Sequence, residues 1–100
     1  MNQMQAMIQQ AQRMQRELKK AQEELNAKEF KVSKGGAVTV TVMGSKEVKS
    51  IEIDKDAFDQ SNKEMIEEMI ALAINEAIKQ IEAEFNEFNE RITGRAGGLF

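Results

Sequence analysis

Apolar residues recur along the first quarter of the chain at alternating steps of three and four residues. The series is Met4, Met7, Ala11, Met14, Leu18, Ala21 and Leu25. A period of 3.5 is typical of a helix packed along another helix, and the intervening Gln, Arg, Lys and Glu residues are good helix formers. The pattern predicts a helix over residues 2–27. We favour packing of the methionine stripe against a partner helix; an adaptable binding surface is the alternative.

Strict alternation of apolar and polar residues replaces this period in the middle of the chain. The alternating apolar residues are Phe30, Val32, Val38, Val40, Val42, Ile51 and Ile53. Such alternation is typical of half-buried strands, and the intervening glycines Gly35, Gly36 and Gly44 indicate turns. The pattern predicts a three-stranded antiparallel meander within residues 29–53.

A helical period returns in the last third. Ser61 and Glu64 have the spacing of a capping box, which predicts the start of a second long helix over residues 62–93. Its apolar stripe is Ile66, Ile70, Ile74, Ala77, Ile81, Phe85, Phe88 and Ile92. Gly94 is expected to end the helix and to begin a flexible Gly-rich tail over residues 94–100. The chain is thus predicted to be one α+β domain, 1–100, with residues 1–28 as its first helical segment.

The predicted helices are much longer than the predicted strands. A strand of five or six residues spans about 17–20 Å, whereas the two helices would span about 39 and 48 Å. Antiparallel helices would therefore overhang the sheet as a two-helix arm, and a second copy would cover the open sheet edge. We expect a homodimer whose core contains Val38, Val40, Val42, Ile51, Ile53, Ile66 and Ile70.

The composition argues against most kinds of catalytic site. The chain has no Cys and no His, so cysteine metal clusters, disulfides and the commonest general base are absent. The four serines have no His partner, and Asp54 and Asp56 lack the later residues of a calcium loop. We expect no catalytic residue, no metal and no cofactor. The polar N-terminus and the lack of long apolar runs predict a cytoplasmic protein without membrane contact.

Charge is distributed unevenly along the chain. The net charge is −3, but residues 1–28 carry five Lys and Arg against three acids, and residues 63–100 carry four against eight. Cations and glutamines crowd the first helix, where they could bind phosphates or base edges. The alternative is an ordinary solvated helix surface, with the arginines paired to Glu17, Glu87 or Glu90.

Three segments resemble one known family. MQAMIQQAQRMQRELKKAQEEL is similar to the first helix of the YbaB/EbfC family, GGAVTVTVMGSKEVKSIEID to its hairpin, and GRAGGLF to its C-terminus. The resemblance implies a helix, three antiparallel strands and a helix, assembled as a tweezer-like homodimer. It also implies binding to double-stranded DNA through the long helices, with roles in nucleoid organisation and gene regulation.

Local charge then suggests where on the helices DNA would bind. The candidates are Gln9, Gln12, Arg13, Arg16, Lys19, Lys20, Arg91 and Arg95. Contacts mainly to phosphates predict low sequence preference, and the nearby acids Glu82 to Glu90 predict modest affinity. The competing hypothesis is a dimeric scaffold whose arms bind another protein.

Overall fold

The computed structural model describes residues 2–95, and it confirms the predicted order of helix, sheet and helix. Helix α1 spans Gln3–Ala27, followed by strands β1 (Glu29–Lys34), β2 (Val38–Met43) and β3 (Val48–Ile53). After a 3₁₀ turn at Gln60–Asn62, helix α2 spans Lys63–Arg95. The molecule is extended, 71 × 20 × 14 Å, because both helices run beyond the small sheet.

Tight turns join the strands in the order β1-β2-β3, with both pairs antiparallel. In the first turn Gly35 and Gly36 both have positive φ, at 59° and 65°. That backbone matches the twist of a two-residue hairpin and favours glycine at both positions. After β2, Gly44 lies so close to α1 that an added Cβ would meet the carbonyl oxygen of Leu25 at 1.7 Å. This contact fixes the end of α1 against the sheet.

The core lies between one face of the sheet and α2. Val38, Val40 and Val42 are almost fully buried, and Ile66 and Ile81 of α2 pack in the same cluster. Helix α2 lies over β1 and β2 and scarcely contacts β3. Consequently, four of the residues predicted for the dimer core, Val38, Val40, Val42 and Ile66, are buried within one chain.

The edge strand β3 is different. Ile51 and Ile53 pair with Val40 and Val38 and so lie on the same face of the sheet. Because α2 does not cover them, they remain 45% and 36% exposed. Ile70, the last residue predicted for the dimer core, is half-buried beside the monomer core.

The second helix begins differently from the prediction. Ser61 does not cap α2 in a capping box: Asp59 caps the preceding 3₁₀ turn, accepting from the Ser61 backbone N–H and the Ser61 hydroxyl, both at 2.9 Å. The aspartate is two residues upstream, where a carboxylate accepts more strongly than a hydroxyl. The capping-box interpretation was therefore wrong.

The end of α2 also differs. The helix continues through Gly94 to Arg95, so residues 94 and 95 belong to the helix and not to a tail. A helical glycine costs only about 1 kcal/mol relative to alanine, which neighbouring turns can offset. The rest of the predicted tail, residues 96–100, lies outside the described residues.

Candidate nucleic-acid interface on the helical arm

A two-helix arm extends from the sheet. Residues of α1 beyond the sheet lie beside the second half of α2, where Met14 and Leu18 pack against a cluster that includes Phe88 and Ile92. Phe85 and Phe88 meet edge to face, with ring centroids 5.2 Å apart. We call this two-helix projection the arm, and the sheet with the first half of α2 the base.

Packing between the two helices stops before the tip of α1. Met14 is half-buried, but every residue from Asn2 to Gln10 is exposed, including Met4 at 70% and Met7 at 47%. The predicted interhelical packing of Met4 and Met7 is therefore wrong within the described residues. The three-and-four spacing predicts an apolar stripe correctly, but it carries no information on how far the partner helix extends.

The predicted polar residues of α1 are all on its surface. Gln9, Gln12, Arg13, Arg16, Lys19 and Lys20 are exposed. Residues three and four apart are neighbours on a helix surface, so Gln9, Arg13, Arg16 and Lys20 form a continuous stripe. Because α1 contacts α2 through Met14 and Leu18, Arg16 and Lys20 lie away from α2, whereas Gln9 and Arg13 line a groove with Ile92.

Within the described residues, the cations of this stripe take part in none of the ion pairs. Among residues 2–95, no carboxylate lies within 4.0 Å of the charged groups of Arg13, Arg16, Lys19 or Lys20. Pairing of Arg13 or Arg16 with Glu87 or Glu90 is not among the ion pairs of these residues, whereas Glu17 takes part in an interaction of its own. Asn2–Arg16 also contains two arginines and no acid, so nothing in this segment neutralises them.

Four lysines in or next to the sheet behave in the opposite way. Lys28 pairs with Glu84, Lys34 with Glu76, Lys46 with Glu82 and Lys49 with Glu29. The hydrogen bond and charge of Lys49 lower the pKa of Glu29 below its ordinary value. Each of these pairs joins two different elements and reduces the net field of both side chains.

Arg91 and Arg95 belong to α2 and are not part of the stripe on α1. Arg91 is exposed on α2 and lines a shallow groove with Glu24, Glu84 and Glu87. Arg13 lines a separate groove with Met14, Glu17 and Ile92. Arg95 ends α2, and its side chain lies outside the described part.

The site predicted from the sequence did not include two exposed residues near the start of α1. Met4 was assigned to the helix seam and Ile8 to no surface, yet both are exposed, Ile8 at 50%. Met4, Ile8, Gln12, Arg16 and Lys20 are spaced by four residues. This spacing could have placed them on one ridge of the helix.

The described residues contain neither a metal-binding cluster nor a membrane-spanning helix. Between residues 2 and 95, no group of three or more acids, His or Cys is arranged to hold a metal ion. In the same part of the chain, no helix is sufficiently long and apolar to cross a membrane. The exposed cations of α1 are therefore the most distinctive chemical feature of the described surface.

Fold and surface together define an α+β protein with a small antiparallel base and a projecting helical arm that carries exposed cations. The chain belongs to the YbaB/EbfC DNA-binding family, whose model matches residues 1–96. The resemblance seen in the sequence is therefore confirmed.

Relatives cover most of the chain. It is 41% identical to a nucleoid-associated protein of Chloroflexus aurantiacus over 101 aligned positions, which cover 100% of each chain. It is 38% identical over 94 residues to a nucleoid-associated protein of Ruminiclostridium cellulolyticum, covering 93% of this chain and 82% of the relative. A nucleoid-associated protein of Clostridium botulinum strain Alaska E43 is 46% identical over 79 residues, covering 77% of this chain and 70% of the relative.

Proposed function

We propose that this protein is a non-enzymatic, nucleoid-associated homodimer that binds double-stranded DNA through its helical arms, with low sequence preference. Family membership and the names of the relatives support the DNA partner and a location in the cytoplasmic nucleoid. The observation that carries the assignment to the arm is the exposed stripe of Arg13, Arg16 and Lys20, which form no ion pair among residues 2–95. A role in nucleoid organisation and gene regulation follows from such binding. No cofactor is required.

Phosphate contacts explain why low sequence preference is expected. Arginine and lysine bind phosphate oxygens that every sequence presents, so these contacts position the protein without reading bases. Unpaired cations are suited to this role because no internal ion pair must break before they reach DNA. The acids of α2 near the same arm oppose the field, which argues for modest affinity from one arm alone.

An exposed apolar strip on β3 supports the homodimer. Val48, Ile51 and Ile53 remain 36–45% exposed on the core face of the sheet, and β3 is an edge strand with one side unpaired. A second copy would cover both the apolar side chains and the open backbone edge. Two arms on one dimer would then bind the same duplex, and the second contact gains from its high effective concentration.

The experiment is a titration of labelled duplex DNA with the protein and with Arg13→Ala/Arg16→Ala, at several salt concentrations. The matched control is Lys31→Ala/Lys55→Ala, which removes the same charge from exposed residues of the base. We expect the arm variant to bind more weakly and the control to stay close to the parent. Circular dichroism should show an intact fold in both variants, because all four side chains are exposed.

The dependence of DNA affinity on salt concentration also gives the number of phosphate contacts. Each phosphate contact to duplex DNA contributes about 0.9 to the slope of log affinity against log salt. Loss of two arginines should reduce the slope by about two if one arm binds, and by about four if both arms of a dimer bind. Equal losses of affinity in both variants would indicate a general charge effect and reject the arm assignment. DNA binding absent from the parent protein would instead favour the scaffold hypothesis.

A further inference from the structure

Within the described part of the chain, the tip of α1, residues 2–10, is a single helix that α2 does not pack against, unlike the rest of the arm. All residues from Asn2 to Gln10 are exposed, and packing on α2 begins only near Met14. A single helix with its side chains is about 10–12 Å across, close to the width of the major groove of B-DNA, about 12 Å. The tip therefore has the right dimensions to enter that groove, and the two-helix part of the arm does not.

The chemical character of the side chains changes along one ridge of α1. Met4, Ile8, Gln12, Arg16 and Lys20 recur every four residues and are all exposed, so they form one ridge. The ridge spans about 24 Å at a rise of 1.5 Å per residue. Its tip is apolar, its middle is an amide and its inner end is cationic.

Charge favours DNA over a protein partner for this tip. The first acid of the chain is Glu17, and the first turn of α1 contains no acid. The positive end of the helix dipole is therefore not offset at the tip, and Arg13 and Arg16 follow within about four turns. An exposed apolar tip in a positive field is complementary to a polyanion that displays methyl groups. Duplex DNA has that combination, because thymine presents its C5-methyl in the major groove.

We propose that the tip of α1 lies in the major groove and reads A·T pairs by contacting thymine methyl groups with Met4 and Ile8. Gln12 then faces adenine, to which its amide can bond through both N6 and N7, while Arg16 and Lys20 bind phosphates. This inference rests on the DNA binding proposed above and adds a weak A·T preference to the phosphate contacts. It assigns a role to two residues for which helix packing provides none.

The test replaces every thymine by uracil in a duplex of about 20 base pairs, two helical turns, that contains only A·T pairs. Uracil lacks the C5-methyl and keeps the same hydrogen-bonding edges. We expect the parent protein to bind the thymine duplex more tightly, by about fourfold for each methyl that the tip buries. Both duplexes are titrated at the same salt, about 50 mM.

Two variants complete the experiment. Met4→Ala/Ile8→Ala removes the apolar tip, and we expect its thymine-to-uracil affinity ratio to fall close to one while phosphate-driven binding persists. Gln3→Ala/Gln10→Ala is the matched control on the same turns but on the other side of the helix, and it should keep the parent ratio. Comparison of ratios cancels any change in DNA shape caused by uracil.

Each other result rejects the inference. Equal affinity of the parent for both duplexes would overturn the methyl contact and leave the proposed DNA binding intact. A ratio that survives in Met4→Ala/Ile8→Ala would place the methyl contact elsewhere. A smaller sedimenting species for that variant, with the ratio unchanged, would assign the tip to contact with a second copy. Absence of DNA binding in the parent would reject the proposed function as well.

Discussion

The same types of residue differ in burial and in ion pairing between the base and the arm. In the base, valines are buried under α2 and lysines pair with acids of other elements. On the outer half of α1, methionine and isoleucine are exposed, and the cations lack acidic partners among the described residues. The face of the base under α2 satisfies its side chains internally, whereas the outer half of α1, like the uncovered edge strand β3, leaves apolar side chains exposed.

This difference indicates that separate sets of residues contribute to stability and to binding. Exposed ion pairs like those of the base contribute only about 0–1 kcal/mol each, so their larger effect is to cancel charge around the sheet. The unpaired cations of α1 contribute little to folding, and they retain a field that can attract an anion. Substitutions in the base should therefore change folding or assembly, and substitutions on the arm should change recognition.

The largest effect is expected from Val40→Asp. Val40 is fully buried at the centre of β2, and a carboxylate there would have no cation or hydrogen-bond donor to offset its loss of water. A cost above about 4 kcal/mol is expected, a large part of the stability of a small domain. Loss of the cooperative thermal transition measured by circular dichroism would verify it. Gln9→Asp, on the exposed side of α1, is the control and should keep the parent transition.

An intermediate effect is expected from Ile51→Asp. Ile51 is 45% exposed on β3, so a charge there costs the single chain little, but it would be buried without a partner in the proposed dimer. Sedimentation should show dissociation to monomers, or unfolding if the chain is unstable alone. Ile8→Asp is matched in exposure but lies on the arm, and its sedimentation should remain that of the parent. A parent protein that sediments as a folded monomer at micromolar concentration would contradict the dimer itself.

Local pattern was sufficient for most of the fold. The 3.5-residue period and the alternation of Val38, Val40 and Val42 with threonines predicted the helices and strands, because burial on one face imposes those periods. The position of the cations on α1 was also predictable, since exposed polar residues of a helix follow from the location of its apolar stripe.

Other features depend on contacts that local pattern does not contain. The exposure of Met4 depends on where α2 ends relative to α1, and the exposure of Ile51 depends on which strands α2 covers. Pairing of Lys28 with Glu84 joins residues 56 positions apart, which neither composition nor spacing reveals. The capping by Asp59 was missed because a strong acceptor two residues upstream outcompeted Ser61.

The smallest effect concerns how the two helices begin. Asn2 caps α1 with a neutral amide, whereas Asp59 caps the turn before α2 with a carboxylate. Hydrogen bonds from the Ser61 backbone and side chain lower the pKa of Asp59 below 3.8, its ordinary value. The folded state therefore binds this proton less readily than the unfolded state. The resulting stabilisation is present above pH 3.8 and is lost as pH falls through the lower folded pKa.

Asp59→Asn isolates this contribution from that of Glu29, whose pKa is also lowered. The difference in unfolding free energy between the parent and the variant, measured by denaturant titration, should be constant near neutral pH and shrink below pH 3.8. Asn2→Asp is the opposite exchange on the arm, and it should introduce an acid dependence at the start of α1, where the parent cap has no titratable group. If the difference in unfolding free energy between the parent and Asp59→Asn stays constant down to acidic pH, the carboxylate charge contributes nothing to the start of α2. In that case the contrast between the two helix starts would be one of geometry alone.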